Sequence, residues 1–136
     1  MPRRRREPRW VSRLVVDAIR TEQLHEHGGL PGVCDENVLE SALARPRQRW
    51  HYEADADLAA VAAAYPYGLT RNHPYRDGNK RVGFLAMVTF LGISGLEFEA
   101  AEAHVVAEML LLAEGAVSEE QLAVWVRAHS KRVRAH

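Results

Sequence analysis

Apolar positions along this chain recur mostly at helical spacing, and the breaks between them fall at residues that start or stop helices. Ser12 can cap a first helix that carries Leu14, Val15, Ala18, Ile19 and Glu22 on one face and ends near His27, where Gly28-Gly29 stops it. Leu30-Pro31-Gly32 reads as a turn. Asp35 caps a second, shorter helix with Val38, Leu39, Ala42 and Leu43 apolar, and Pro46 closes it. Residues 46–56 show no period and read as a loop or a short hairpin. Asp57 caps a third helix with the stripe Leu58, Val61, Ala62, Tyr65 and Leu69; Pro66 inside it predicts a kink or a break. A polar stretch, His73 to Asp77, precedes a helix from Gly78 to Ser94 with Phe84, Met87, Val88 and Leu91 inward and Gly95 as its stop. Leu96 to Glu99 is extended. Helices over 101–113 and 118–130 follow, the second opened by the capping-box pattern Ser118-Glu119-Glu120-Gln121. The pattern predicts an all-α domain over 11–130, with no internal repeat and no low-complexity linker.

Composition agrees. At 136 residues, 47% hydrophobic and 26% charged, the chain has the size and make-up of one soluble globular domain. No run approaches the roughly 18 apolar residues of a membrane helix, and Met-Pro-Arg-Arg-Arg-Arg is not a secretory start. The single cysteine, Cys34, excludes an intrachain disulfide and any multi-cysteine metal site. A cytoplasmic protein is expected. The net charge of zero conceals a split: residues 1–10 carry +4, residues 131–136 carry +3, and 11–130 carry −7. Such ends either meet an acidic partner or are solvated tails. The second reading is preferred here, because a dedicated nucleic-acid binder concentrates positive charge on its folded body. Residues 1–10 are therefore expected to be a flexible basic extension, 131–136 a basic tail, and direct nucleic-acid binding is not expected.

One segment is too rich in reactive groups for a packing role: Arg71-Asn72-His73-Pro74-Tyr75-Arg76-Asp77-Gly78-Asn79-Lys80-Arg81. Gly78 lets the backbone approach a ligand closely. The amides of Gly78, Asn79, Lys80 and Arg81 fall in the first turn of a helix, where they lack intrahelical partners and the dipole favours an anion. Lys80 and Arg81 are cations at the end of the helix that disfavours them, which makes sense if a phosphate binds there. Asp77 can hold a magnesium ion that bridges phosphate oxygens, and His73 can serve as a base or an acid. Singly, each has an ordinary reading: a loop histidine, an Asp-Gly turn, a solvated Lys-Arg pair. Together they indicate an anion site.

His73-Pro-Tyr-Arg-Asp77-Gly78-Asn79-Lys80-Arg81 resembles the signature of the Fic/Doc superfamily, His-x-Phe-x-(Asp/Glu/Asn)-(Gly/Ala)-Asn-(Gly/Lys)-Arg, and its Asn-Lys-Arg ending is similar to the death-on-curing (Doc) toxin branch. His27-Gly28-Gly29-Leu30-Pro31-Gly32, Leu39 to Pro46, and Phe90-Leu91 before Gly95 also resemble that branch, so the likeness covers residues 11–128. It implies the Fic/Doc helical fold with a short flap segment, ATP as phosphate donor and Mg2+ as its ion. Fic proteins generally transfer AMP to a hydroxyl; the Doc branch transfers the terminal phosphate to a Ser or Thr, with elongation factor Tu as its target. By position the resemblance implies His73 as base, Asp77 as the magnesium ligand, Gly78 and Asn79 as an anion hole, Lys80 and Arg81 as phosphate grips, and Arg71 as a further phosphate contact. The loop over 46–56 stands where the family has its flap, with Arg47, Arg49, Trp50 and Tyr52 placed to hold a target; the alternative is a surface loop with Trp50 folded into the core.

The departures are informative. Phe84 stands where AMP-transferring members have a second Arg, and Lys80 where they have Gly, so both favour phosphate transfer. Gly78 replaces the Ala of Doc, Tyr75 the usual Phe, and Arg20 a common His of the first helix. The self-inhibitory pattern Ser/Thr-x-x-x-Glu-(Gly/Asn) is missing: Leu110 precedes Glu114-Gly115 and Gly32 precedes Glu36-Asn37 at the required place. The expectation is thus a type II toxin restrained by a separate antitoxin with a disordered C-terminal segment. Nucleotidyl transfer, or a binding module that has lost its chemistry, are the alternatives.

Overall fold

Four helices begin on a side chain that takes up open first-turn amides, and these caps set the frame of the molecule. In the computed structural model, which describes residues 5–133, Ser12 accepts from the amide of Val15, Asp35 from those of Asn37 and Val38, Asp57 from that of Ala60 and Ser118 from that of Gln121. The elements are α1 (Arg13–His27), α2 (Glu36–Tyr52), α3 (Leu58–Asn72), α4 (Asn79–Ile93), β1 (Leu96–Phe98), α5 (Glu102–Ala113), α6 (Glu119–Ala128) and β2 (Ser130–Arg132). The Ser118–Gln121 capping box forms with both of its hydrogen bonds. The fold is helical, with one two-stranded antiparallel sheet that pairs Leu96 with Arg132 and Phe98 with Ser130. No helix among the described residues is long and apolar enough to cross a membrane.

Helix α3 is the hub. It is buried all round from Ala59 to Pro66, and α2, α4 and α6 pack against it. Alanine dominates this stretch, which lets the neighbouring helices approach closely. At the α2–α3 crossing, a Cβ on Gly68 would lie 3.3 Å from Ala42; at the α3–α4 crossing, a Cβ on Gly83 would lie 2.9 Å from the Cα of Pro66. The aromatic part of the core is Tyr65 against Phe90 and Phe90 against Trp10, with ring centroids 5.4 and 5.9 Å apart. The Tyr65 hydroxyl accepts from the amide of Val11 at 3.0 Å, and burial pushes its pKa up to about 12.

Several local expectations yield to tertiary contacts. Pro46 does not end α2, and residues 46–52 are helix rather than loop, hairpin or flap. Pro46 is buried. The turn after it is held from two sides. The Arg49 side chain is 8% exposed and is bound by Glu53, by Glu119 at 3.1 Å and by Glu120, while Arg5 lies 3.8 Å over the Trp50 ring. These contacts offset the hydrogen bond that proline removes. Pro66 likewise lies within a continuous α3. On α1 the buried residues are Val16 and Arg20, whereas Leu14 and Val15 face outward, so the buried face is rotated from the expected one. The last helix stops at Ala128 and the chain from Ser130 becomes β2, which draws the start of the basic tail into the sheet. The expected flexible extension is seated from Arg5 to Trp10, through the Arg5–Trp50 and Trp10–Phe90 contacts; residues 1–4 and 134–136 lie outside the described residues.

Asp57 joins two of these links. Its Oδ1 accepts from Ala60 at 2.9 Å, and its two oxygens accept from Arg127 at 2.6 and 2.9 Å. The Arg127 guanidinium holds the Asp57 carboxyl below its usual pKa. Asp57→Ala is expected to cost about 1–2 kcal/mol at pH 7 in urea unfolding, mostly the lost cap, since an exposed ion pair adds little. The depressed pKa makes this stabilisation present above the unfolded-state value near 4 and lost as the pH falls through the folded value. The gap between wild type and variant should therefore narrow in acid.

Candidate active site

The site is built by the turn between α3 and α4. Helix α3 ends at Asn72, and His73 takes the left-handed conformation, φ 49° and ψ 57°, as its C-cap. A non-glycine residue adopts this conformation at a cost. It swings the chain back so that Tyr75 enters the core, 2% exposed, with burial pushing its hydroxyl up to about 12. Buried Asn79 then locks the turn: its Oδ1 accepts from the Tyr75 amide at 3.0 Å and its Nδ2 donates to the Tyr75 carbonyl at 3.1 Å. The Asn79 side chain is thus spent on holding the loop together, which leaves only its backbone to face the cavity.

The connection between α1 and α2 forms the opposite wall. The Cys34 amide donates to the Pro74 carbonyl at 2.8 Å, Val33 and Tyr75 form an isolated antiparallel bridge, and the Leu30 amide donates to Asp77 Oδ2 at 3.0 Å. Arg20, buried at the inner face of α1, donates to the carbonyls of Asp77 and Leu30, each at 2.6 Å. Gly78, at φ 76°, is the N-cap of α4 and has no side chain to bond the first-turn amides, which leaves them open to a ligand.

The result is a cavity of about 450 Å³, lined on one side by His27, Gly28 and Gly29 and on the other by His73, Arg76, Asp77, Gly78, Asn79, Lys80 and Arg81. His73, Lys80 and Arg81 are exposed to it. An apolar cavity of about 230 Å³ lies next to it between α4 and α5, lined by Lys80, Arg81, Phe84, Val105, Val106, Met109 and Leu110. A polar cavity of about 470 Å³ runs from Asn72 along α2, past Asn37, Ser41, Arg45 and Gln48.

Arg71 is not brought into the cavity lined by His73 and Arg81: its guanidinium donates to the Leu112 carbonyl near the end of α5, at 3.3 Å. The four flap residues also fall elsewhere. Arg49 is committed to its three glutamates, Trp50 lies under Arg5, Arg47 lies 5.6 Å from the Trp10 ring centroid, and Tyr52 is exposed near the end of α2. No cluster of three or more His, Cys, Asp or Glu among the described residues could hold a metal unaided. A lone carboxylate, 45% exposed in the lining of this cavity, does suit magnesium, which is commonly held by one carboxylate together with substrate phosphates and water. Asp77 fits that role.

The Fic/DOC family model matches residues 10–91, a span from Trp10 through most of α4 that includes the whole site. The chain belongs to the Fic/DOC family. It is 32% identical over 89 residues to "Protein kinase doc" of Escherichia phage P1, covering 65% of this chain and 71% of that protein. It is 44% identical over 75 residues to "Toxin Doc" of Mycolicibacterium smegmatis, covering 54% of this chain and 57% of that protein. Within this family member, reading for reactive groups found the turn from His73 to Arg81 but gave no site role to His27, Gly28, Gly29, Arg76 or Arg20. The glycine pair carried a usable signal. A Cβ on Gly29 would lie 2.7 Å from Asp77 Oδ1, so the second glycine is there for close approach as well as for helix termination.

Proposed function

We propose that this chain is a Doc-like toxin which transfers the terminal phosphate of ATP to a Ser or Thr hydroxyl of a target protein. The observation that carries this reading is the uncapped start of α4: open amides, Lys80 and Arg81 face one cavity with the exposed His73. Phosphoryl transfer asks a protein chiefly for positioning and charge neutralisation, and this cavity offers both. The amides of α4, Lys80 and Arg81 hold phosphate oxygens. Asp77 would hold Mg2+, which when bound neutralises charge on those oxygens. His73 orients the acceptor hydroxyl and takes its proton as the new P–O bond forms. The bond from the terminal phosphorus to the β–γ bridging oxygen breaks, and ADP leaves. The cavity that runs from Asn72 along α2 offers the acceptor segment a place to dock.

Phe84 favours this reading over AMP transfer. It places a ring, 5.6 Å from that of Phe98, where an AMP-transferring relative has a second arginine. The expected acceptor is elongation factor Tu. Regulation is assigned to a separate antitoxin whose C-terminal segment folds on binding into the apolar cavity between α4 and α5, beside the reactive groups. The test is incubation with acceptor proteins and ATP labelled at the alpha or the gamma phosphate. Gamma label on the acceptor is expected; alpha label would establish AMP transfer instead.

Arg81→Ala should weaken ATP binding by about 1.5–3 kcal/mol, the size of a charge-assisted hydrogen bond. Calorimetry showing unchanged affinity would remove Arg81 from the phosphate site.

A further inference from the structure

A guanidinium buried beneath a phosphate site needs a reason, because burying a charge without partners is costly. Arg20 is 6% exposed and sits among partners drawn from two segments that are distant from each other in sequence. One amino group donates to the Asp77 carbonyl and the other to the Leu30 carbonyl, both at 2.6 Å. Its Nη1 also lies 3.6 Å from Asp77 Oδ1, and its guanidinium carbon is 4.7 Å from the centroid of the Tyr75 ring. Arg20 thus ties the α1–α2 connection to the turn that carries Asp77.

The same group fills the space behind Gly78. A Cβ on residue 78 would lie 2.6 Å from Arg20 Nη1. The end of an exposed arginine could swing aside, but this one is held by two carbonyls and lies over a buried ring, so moving it breaks a hydrogen bond. We propose that Arg20 is a positioning residue for the phosphate site and that it is matched to Gly78. Arg20 sets Asp77 and the start of α4 relative to the wall at Leu30, and it can do so only while residue 78 lacks a side chain. This rests on reading residues 73–81 as the phosphate-transfer site.

Two measurements test it. The first needs no substrate: urea unfolding of wild type, Arg20→His, Gly78→Ala and the double variant. Gly78 has a positive φ, so alanine there is strained in both backgrounds and that cost cancels. Gly78→Ala should lower the folding equilibrium constant at least tenfold more beside Arg20 than in the Arg20→His background. Equal costs overturn the matched pair. The second measurement is steady-state phosphate transfer by Arg20→Lys, which keeps the charge but cannot span both carbonyls with a planar fork. In the folded variant kcat should fall about 10- to 100-fold, the scale of a small misplacement of reacting groups, while KM for ATP stays within about threefold. An unchanged kcat, or a loss confined to KM, overturns the positioning role. Because the unfolding cycle is independent of catalysis, its failure and a failure of the proposed reaction are read separately.

Discussion

His73→Ala is expected to abolish phosphate transfer and growth arrest while leaving the fold and ATP binding in place. His73 is exposed, caps α3 and lies outside the core, so little packing is lost with its ring. Removing a general base typically costs 10²–10⁴ in rate, about 3–5 kcal/mol on the barrier. The left-handed conformation of His73 adds a second expectation. Alanine inherits the strain at φ 49°, and glycine does not, so His73→Gly should be about 1 kcal/mol more stable than His73→Ala, with both inactive. Gamma-label transfer and urea unfolding of the two purified variants check both points. A toxic, transferring His73→Ala protein would contradict the assignment of His73 as base.

The largest effect on stability is expected at Gly83. Two terms compete there. Alanine is favoured over glycine inside a helix by about 1 kcal/mol. Against that, its Cβ would lie 2.9 Å from the Cα of Pro66 and 3.4 Å from the Thr70 hydroxyl oxygen. The first contact is backbone, and the backbone of the buried hub helix cannot turn away as a side-chain tip does. Forcing α4 off α3 also disturbs Val82, Ala86 and Phe90, all of them fully buried. Overpacking wins, and Gly83→Ala should lose about 2–3 kcal/mol in urea unfolding despite its better helix propensity. Gly92 on the same helix has nothing within 4 Å of its Cβ position, so Gly92→Ala is the control expected to stabilise.

These two positions also show what was legible in the chain. Ser12, Asp35, Asp57 and Ser118 were readable as helix starts because capping is settled within three residues of the cap. The turn from His73 to Arg81 was readable as a candidate site because exposed His73, Lys80 and Arg81 have no packing purpose, whereas the packing roles of Tyr75 and Asn79 were not readable. Pro46 and Pro66 misled because the rule for proline is local, while what holds α2 beyond Pro46 comes from Arg5, Glu119 and Glu120, far away in sequence. The same distance hid the fates of Arg49 and Arg71, which look available for ligands until Glu119 and the Leu112 carbonyl come alongside. Arg20 fell on the polar side of the expected amphipathic stripe. Only the folded turn shows that it faces inward. The rotated face of α1 is part of the same finding: Val16 and Arg20 point to the interior, and Leu14 does not.

The hydrogen bond from Leu30 to Asp77 Oδ2 gives the site an intrinsic reporter. Leu30 is itself exposed, so its amide exchanges slowly with deuterium only while a carboxylate oxygen in the cavity accepts from it. Whatever recruits that oxygen sets the amide free. The Cys34 amide, bonded to the backbone carbonyl of Pro74, provides an internal standard that the same event does not touch. The ratio of exchange rates at two positions four residues apart would therefore report the occupancy of Asp77 in solution, without an acceptor protein or turnover.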